Sequence, residues 1–237
     1  DALTNGGTLN TQGAMSAGAL TNNELMNVNS GSTLTMDDGA RLLNNDRLVM
    51  AGGTIAGAVT NAASGAFSGT GTVNGTLTNA GTVTVDDRLT IDRVVNNNNV
   101  TITGQGTLIS GQAVQNNALL TVAGRLQGDL ANSGTAALNG GTITGDVANA
   151  GALTGTGTID GTLRNSNIAS IGGTVTNLVN LSGGHLTTDG NLAATSFTNS
   201  STNATAAVAT ISEGTTLTVA NIAENGTGGE LEVAGTL

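Results

Sequence analysis

The chain has 237 residues, a formal net charge of −10, six Arg, and no Lys, Pro, Cys, Trp or Tyr. This balance excludes nucleic acid and anionic membrane surfaces as partners, because both need clustered basic side chains. Without Cys there are no disulfides, thiolate metal sites or cysteine nucleophiles, and only Phe67 and Phe197 supply the aromatic bulk that fills an ordinary globular core.

Disorder is excluded by the even spread of apolar residues, 38% of the chain, against only 9% charged residues. No apolar run approaches the roughly 20 residues of a membrane-spanning helix, and no signal peptide is legible. The pattern runs unbroken from Asp1 to Leu237. The expectation is one domain over residues 1–237, either a mature product or part of a longer chain.

Taken in chain order, an apolar-x-Asn tripeptide recurs throughout. Its asparagines are Asn5, Asn22, Asn44, Asn61, Asn79, Asn97 and Asn116, then Asn132, Asn149, Asn165, Asn180, Asn199 and Asn221, with a mean spacing of 18 residues. Ahead of the tripeptide stands Gly-Thr-apolar-x-Gly, as in Gly53–Gly57, Gly71–Gly75, Gly141–Gly145 and Gly157–Gly161. After it comes a second alternation, such as Gly81-Thr82-Val83-Thr84-Val85. Each unit thus holds about three short runs with period two, the mark of a strand with one buried face. Gly and Asn between the runs mark turns.

Gly in nearly every turn of a would-be helix excludes helix. Three strands in 18 residues leave no room for hairpins, so the chain must wind, each turn pairing with the next. The predicted fold is all-β: a single-stranded parallel β-helix, or β-solenoid, of about 13 coils of about 18 residues. Inward Leu, Val and Ile fill a narrow interior, and the thirteen asparagines stack into a ladder at one corner. Two spacings of 22 residues predict protruding loops. One contains Ser30-Gly31-Ser32 and Asp37-Asp38-Gly39, the other Ser200 to Ala206.

Several residues invite a chemical reading. Thr-x-Thr at Thr33/Thr35, Thr82/Thr84, Thr101/Thr103, Thr142/Thr144, Thr174/Thr176 and Thr216/Thr218 suggests a flat ice-binding array, but the pairs fall at different phases of the repeat. Asp86-Asp87-Arg88 with Asp92-Arg93 is the densest charge cluster, read as a solvated face. As an acid–base pair for polysaccharide hydrolysis it lacks the aromatic platforms expected beside it. Asp129 and Asp146 occupy the same phase of adjacent repeats, a Ca²⁺ candidate, although Ca²⁺ takes about 6–8 oxygens. His185 is alone and builds no metal site by itself. Asn-x-Ser/Thr triplets at Asn74, Asn99, Asn199, Asn203 and Asn225 match a glycosylation acceptor, a signal that so many Asn and Thr also supply by chance. No catalytic constellation and no cofactor site emerges.

The stretch Leu-Thr-Asn-Ala-Gly-Thr-Val-Thr-Val at Leu77–Val85, with its variants along the chain, resembles bacterial autotransporter passenger domains and filamentous-haemagglutinin-like secreted repeat proteins. The resemblance implies a right-handed parallel β-helix at the bacterial surface or outside the cell, acting in adhesion, aggregation or biofilm. The partners then expected are a host-cell, matrix or glycan ligand. Open strand edges at the solenoid ends raise a second expectation, a homo-oligomer that assembles end to end into a filament. An ice-binding or polysaccharide-acting β-helix is the third. The chain is not expected to be an enzyme.

Overall fold

The computed structural model describes residues 1–237, the side chain of Ile222 excepted. The chain divides into two compact units, Asp1–Leu120 and Thr121–Leu237. Each is a parallel β-solenoid, and the described residues form strands and turns without a helix. Every strand register is parallel, and equivalent residues of successive coils lie side by side. Ala2–Asn5 pairs residue for residue with Ala19–Asn22, and Val147–Asn149 pairs with Leu163–Asn165.

In the first unit the early coils keep three separate strands, such as Thr8–Thr11, Ala14–Ala17 and Ala19–Asn22. Later coils run them together. Ala66–Asn79 is one 14-residue strand spanning all three sides of its coil. In the second unit Ala152–Asn165, Ile168–Asn180 and His185–Asn199 do the same. Glycine lets a strand bend round a corner without leaving the ladder. Gly69 has φ +108°, and a Cβ there would lie 2.0 Å from the Met50 carbonyl oxygen. Gly173 has φ +95°, with a Cβ position 2.1 Å from the Gly157 carbonyl. Both needs, a positive φ and a backbone close enough to exclude a side chain, select Gly alone.

Period two gives each strand an inner and an outer row. Leu20, Met26, Leu34, Leu42, Ile55 and Leu77 are sealed inside the first unit; Leu126, Ile143, Leu153, Ile159, Leu163 and Leu178 inside the second. Burying each such side chain contributes roughly 1.5–3 kcal/mol, which is how a chain so poor in aromatics builds a core. Both phenylalanines lie in these inner rows, Phe67 between Leu48 and Val83, Phe197 beside Leu178.

Candidate functional site

The asparagine ladder is the most regular polar feature. In the first unit the amide Nδ2 of each rung donates to Oδ1 of the next. The series runs Asn5, Asn22, Asn44, Asn61, Asn79, Asn96 and Asn116, at 2.6–2.9 Å. In the second unit it runs Asn132, Asn149, Asn165, Asn180, Asn199 and Asn225, at 2.7–2.8 Å. The same amides also donate to backbone carbonyls of the following turn, as Asn61 does to Gly65 and Thr82. Most rungs are fully buried, so the ladder satisfies the corner internally.

Two predicted rungs are corrected. Asn96, not Asn97, is the rung of its coil, because Val94 and not Val95 points inward and Asn79 registers with Asn96. Asn97 is exposed and accepts a hydrogen bond from Asn117 at 2.8 Å, outside the ladder. Asn225 replaces Asn221, because Phe197 registers with Ala223 and Asn199 with Asn225. The register slips by one residue after Val219, which still pairs with Ala194, and Asn221 is left exposed.

Asp129 and Asp146 do occupy one column. Asp129 Oδ1 accepts the Asp146 backbone N–H at 2.9 Å, and Asp146 Oδ1 accepts the Thr162 N–H at 2.7 Å. Each carboxylate folds over the glycine of the next coil: a Cβ on Gly145 would sit 2.3 Å from Asp129 Oδ1. One oxygen of each is therefore committed to tying coil to coil. Among the described residues no group of three or more His, Cys, Asp or Glu side chains converges as a metal site would require.

Asp86, Asp87, Arg88 and Asp92 face solvent. Their main chain serves the next coil, Asp87 O accepting from Thr107 N and Asp92 O from Gln112 N. Arg93 reaches Gln115 Oε1 at 3.0 Å, a coil-to-coil contact. His185 is exposed at the start of its strand.

The threonines form single columns. Thr33, Thr54, Thr72 and Thr90 stack on successive coils of the first unit; Thr142, Thr158 and Thr174 stack in the second. The neighbouring column does not continue, because Thr35 is followed by Ala56 and Asn74. The signal for the columns lay in the Gly-Thr-apolar motif rather than in Thr-x-Thr.

The two long coils differ. Around Ser30–Gly31 and Asp38–Gly39 the extra residues are absorbed in tight turns, Ser32 N bonding Asn29 O and Ala40 N bonding Asp37 O. Ser32 turns inward and meets the Thr11 hydroxyl at 2.6 Å. No loop protrudes there, contrary to the expectation from length. Ser200–Ala206 does leave the sheet: residues 202–205 are exposed, and buried Ser201 anchors them. Its Oγ lies 2.9 Å from Ser182 Oγ and 2.5 Å from the Thr205 carbonyl oxygen. A hydroxyl at an inward position is the sequence signal for both anchors. It is hard to read where Ser and Thr are everywhere.

A cleft of about 390 Å³ lies beside the strand Leu217–Asn225, lined by Leu217, Val219, Ala223, Thr236 and Leu237. No helix of the described residues is long and apolar enough to cross a membrane.

No protein-family model and no curated protein matches the chain. Among solved structures it is similar to a crystal structure of the TibC-catalysed hyper-glycosylated TibA55-350 fragment, with a TM-score of 0.55 and 18% identity over 100% of this chain and 99% of that one. What the two share is the fold. It is a parallel β-solenoid, in agreement with the architecture expected from the apolar-x-Asn repeat.

Proposed function

We propose that the chain is an adhesive structural stalk displayed at a bacterial surface or outside the cell, where it takes part in adhesion, aggregation or biofilm. The observation that carries this reading is the outer surface of the coils. Small uncharged hydroxyl side chains repeat there at strand spacing, as along Thr33, Thr54, Thr72 and Thr90. The Asp129 and Asp146 carboxylates, by contrast, are engaged in holding coils together. Such a surface suits many shallow contacts with a cell, matrix or glycan better than one converging site. The likeness of fold to the TibA passenger supports the same reading. Labelled chain layered on host cells and on matrix-coated wells tests it. Saturable retention on at least one surface is expected, and washing free of all of them overturns the reading.

The proposal includes the absence of catalysis. Incubation with a panel of polysaccharides leaves the reducing-end content unchanged, and a rise in reducing ends sinks this part.

End-to-end assembly is the second reading, favoured by the ladder's polarity. In each unit every rung donates forward along the chain. Electron microscopy across a concentration series separates the readings. Filaments one solenoid wide favour assembly, and isolated particles at every concentration exclude it.

A further inference from the structure

We propose that Asn203 is an asparagine-linked glycosylation site, taking a sugar from a glycosyl diphosphate donor through a transferase. Asn203-Ala204-Thr205 is one of six Asn-x-Ser/Thr triplets in the chain, the others beginning at Asn74, Asn99, Asn180, Asn199 and Asn225. Sequence alone ranks them equally. The fold does not.

Three of the six are rungs of the ladder. Asn180 and Asn199 are fully buried, and their Nδ2 atoms donate to the next rung and to backbone carbonyls. Asn225 commits its Nδ2 to Gly229 O. Two more lie within strands. Asn99 opens the strand Asn99–Ile102, and its Oδ1 is buried. Asn74 is exposed, but it lies in the 14-residue strand Ala66–Asn79, registers with Ala56, and its carbonyl accepts the Gly57 N–H. A transferase must grip the triplet's own backbone, so a strand held in a sheet has to be peeled away first.

Asn203 alone lies outside any strand. Asn203, Ala204 and Thr205 are all exposed. The amide is also presented in a particular way. Its Oδ1 accepts the Thr205 backbone N–H at 3.1 Å and the Ser182 hydroxyl, while its Nδ2 makes no hydrogen bond among the described residues. The oxygen is thus held against the protein, and the nitrogen that would form the glycosidic bond is left to solvent. The hydroxyl two residues on, which defines the acceptor motif, is on the same exposed segment. Buried Ser201 and the coil beneath it fix the segment's base, so a bulky glycan at its tip faces water and displaces no core residue.

In the transfer the Asn203 Nδ2–C1 bond forms and the bond from C1 to the diphosphate oxygen breaks. The diphosphate leaves with the electron pair, and the Nδ2 proton passes to a carboxylate of the transferase. Nothing is oxidised or reduced. The donor is a nucleotide diphosphate sugar or a polyprenyl diphosphate glycan; both present the same leaving group. The inference does not depend on the adhesive reading, because it concerns acceptor geometry alone.

The test incubates the full chain in two arms. One uses a soluble asparagine glycosyltransferase with UDP-glucose, the other an oligosaccharyltransferase with lipid-linked oligosaccharide in detergent. Peptide mass spectrometry then reads each site. Addition at Asn203 in either arm is expected, with on the order of a hundredfold less at Asn74, since that strand must open first. The arm that succeeds identifies the donor. Thr205→Ala abolishes addition and Thr205→Ser retains it, with circular dichroism unchanged in both. No addition at Asn203 in either arm overturns the proposal. Equal addition at Asn74 also overturns it, because sheet pairing would then not be selecting the site.

Discussion

Asn79 donates from Nδ2 to Oδ1 of Asn96 at 2.9 Å, and Asn96 donates onward to Asn116 at 2.7 Å and to the Leu119 carbonyl at 2.8 Å. Removing the Asn96 amide takes a hydrogen-bond partner from Asn79, Asn98, Asn116 and Leu119 at once. Asn96→Ala is expected to lower the unfolding free energy by about 2–4 kcal/mol. Asn97→Ala, one residue away, loses only the exposed bond from Asn117 and stays within about 0.5 kcal/mol. Urea titration of the two variants decides this. Equal midpoints would show that the ladder adds no stability at this coil.

This pair also marks where sequence reading works and where it stops. The 18-residue period was legible because a ladder needs one amide per coil at a fixed phase, and leucines and valines that point inward must repeat with it. At Val94-Val95-Asn96-Asn97 two overlapping tripeptides satisfy the same pattern, and only the register with Leu77 and Asn79 chooses between them. At Ala223-Glu224-Asn225 the inward residue is Ala, too small to stand out as an apolar anchor, so the eye settles on Val219 and Asn221. The Asp129 and Asp146 column was legible as a column, but its partner was not. A backbone N–H leaves no trace in the sequence, so a carboxylate that caps the next coil reads the same as one awaiting a cation.

Gly69 and Gly39 separate the two reasons a solenoid uses glycine. Both have positive φ, +108° and +76°, but a Cβ on Gly69 meets the Met50 carbonyl while one on Gly39 meets nothing within 4 Å. Gly39→Ala should cost only the backbone term, about 1–2 kcal/mol. Gly69→Ala adds displacement of the neighbouring coil's main chain and should cost about 3–5 kcal/mol. Thermal or urea unfolding of both variants tests the order. If Gly39→Ala proves the worse, close packing of coils is not what fixes Gly69.

Phe67 fills its inner row between Leu48 and Val83 and is sealed from solvent. Its neighbours in the row, Leu48 and Val83, are branched side chains that refill its volume poorly. Phe67→Ala is expected to cost about 3–5 kcal/mol, with the cavity as well as the lost transfer free energy contributing. Phe67→Leu retains most of the volume and should lose less than half as much. The ratio of the two losses is the readout. A Leu variant as unstable as the Ala variant would mean that ring shape, not volume, is what the coil requires.

Asp129 Oδ1 receives the Asp146 N–H, and the side chain lies flat over Gly145. Asp129→Asn keeps an acceptor oxygen of the same shape and should change stability by no more than about 0.5 kcal/mol. Asp129→Ala leaves that exposed N–H to water and should cost about 0.5–1.5 kcal/mol. Neither value should depend on calcium, because among the described residues no third acidic side chain joins the pair, and Ca²⁺ takes about six to eight oxygens. Melting the wild-type chain with chelator and with millimolar calcium checks the last point. A wild-type melting temperature that rises with calcium, and an Asp129→Asn variant that does not respond, would return the column to the status of a cation site. Coincident curves would leave the carboxylate as a peg between coils.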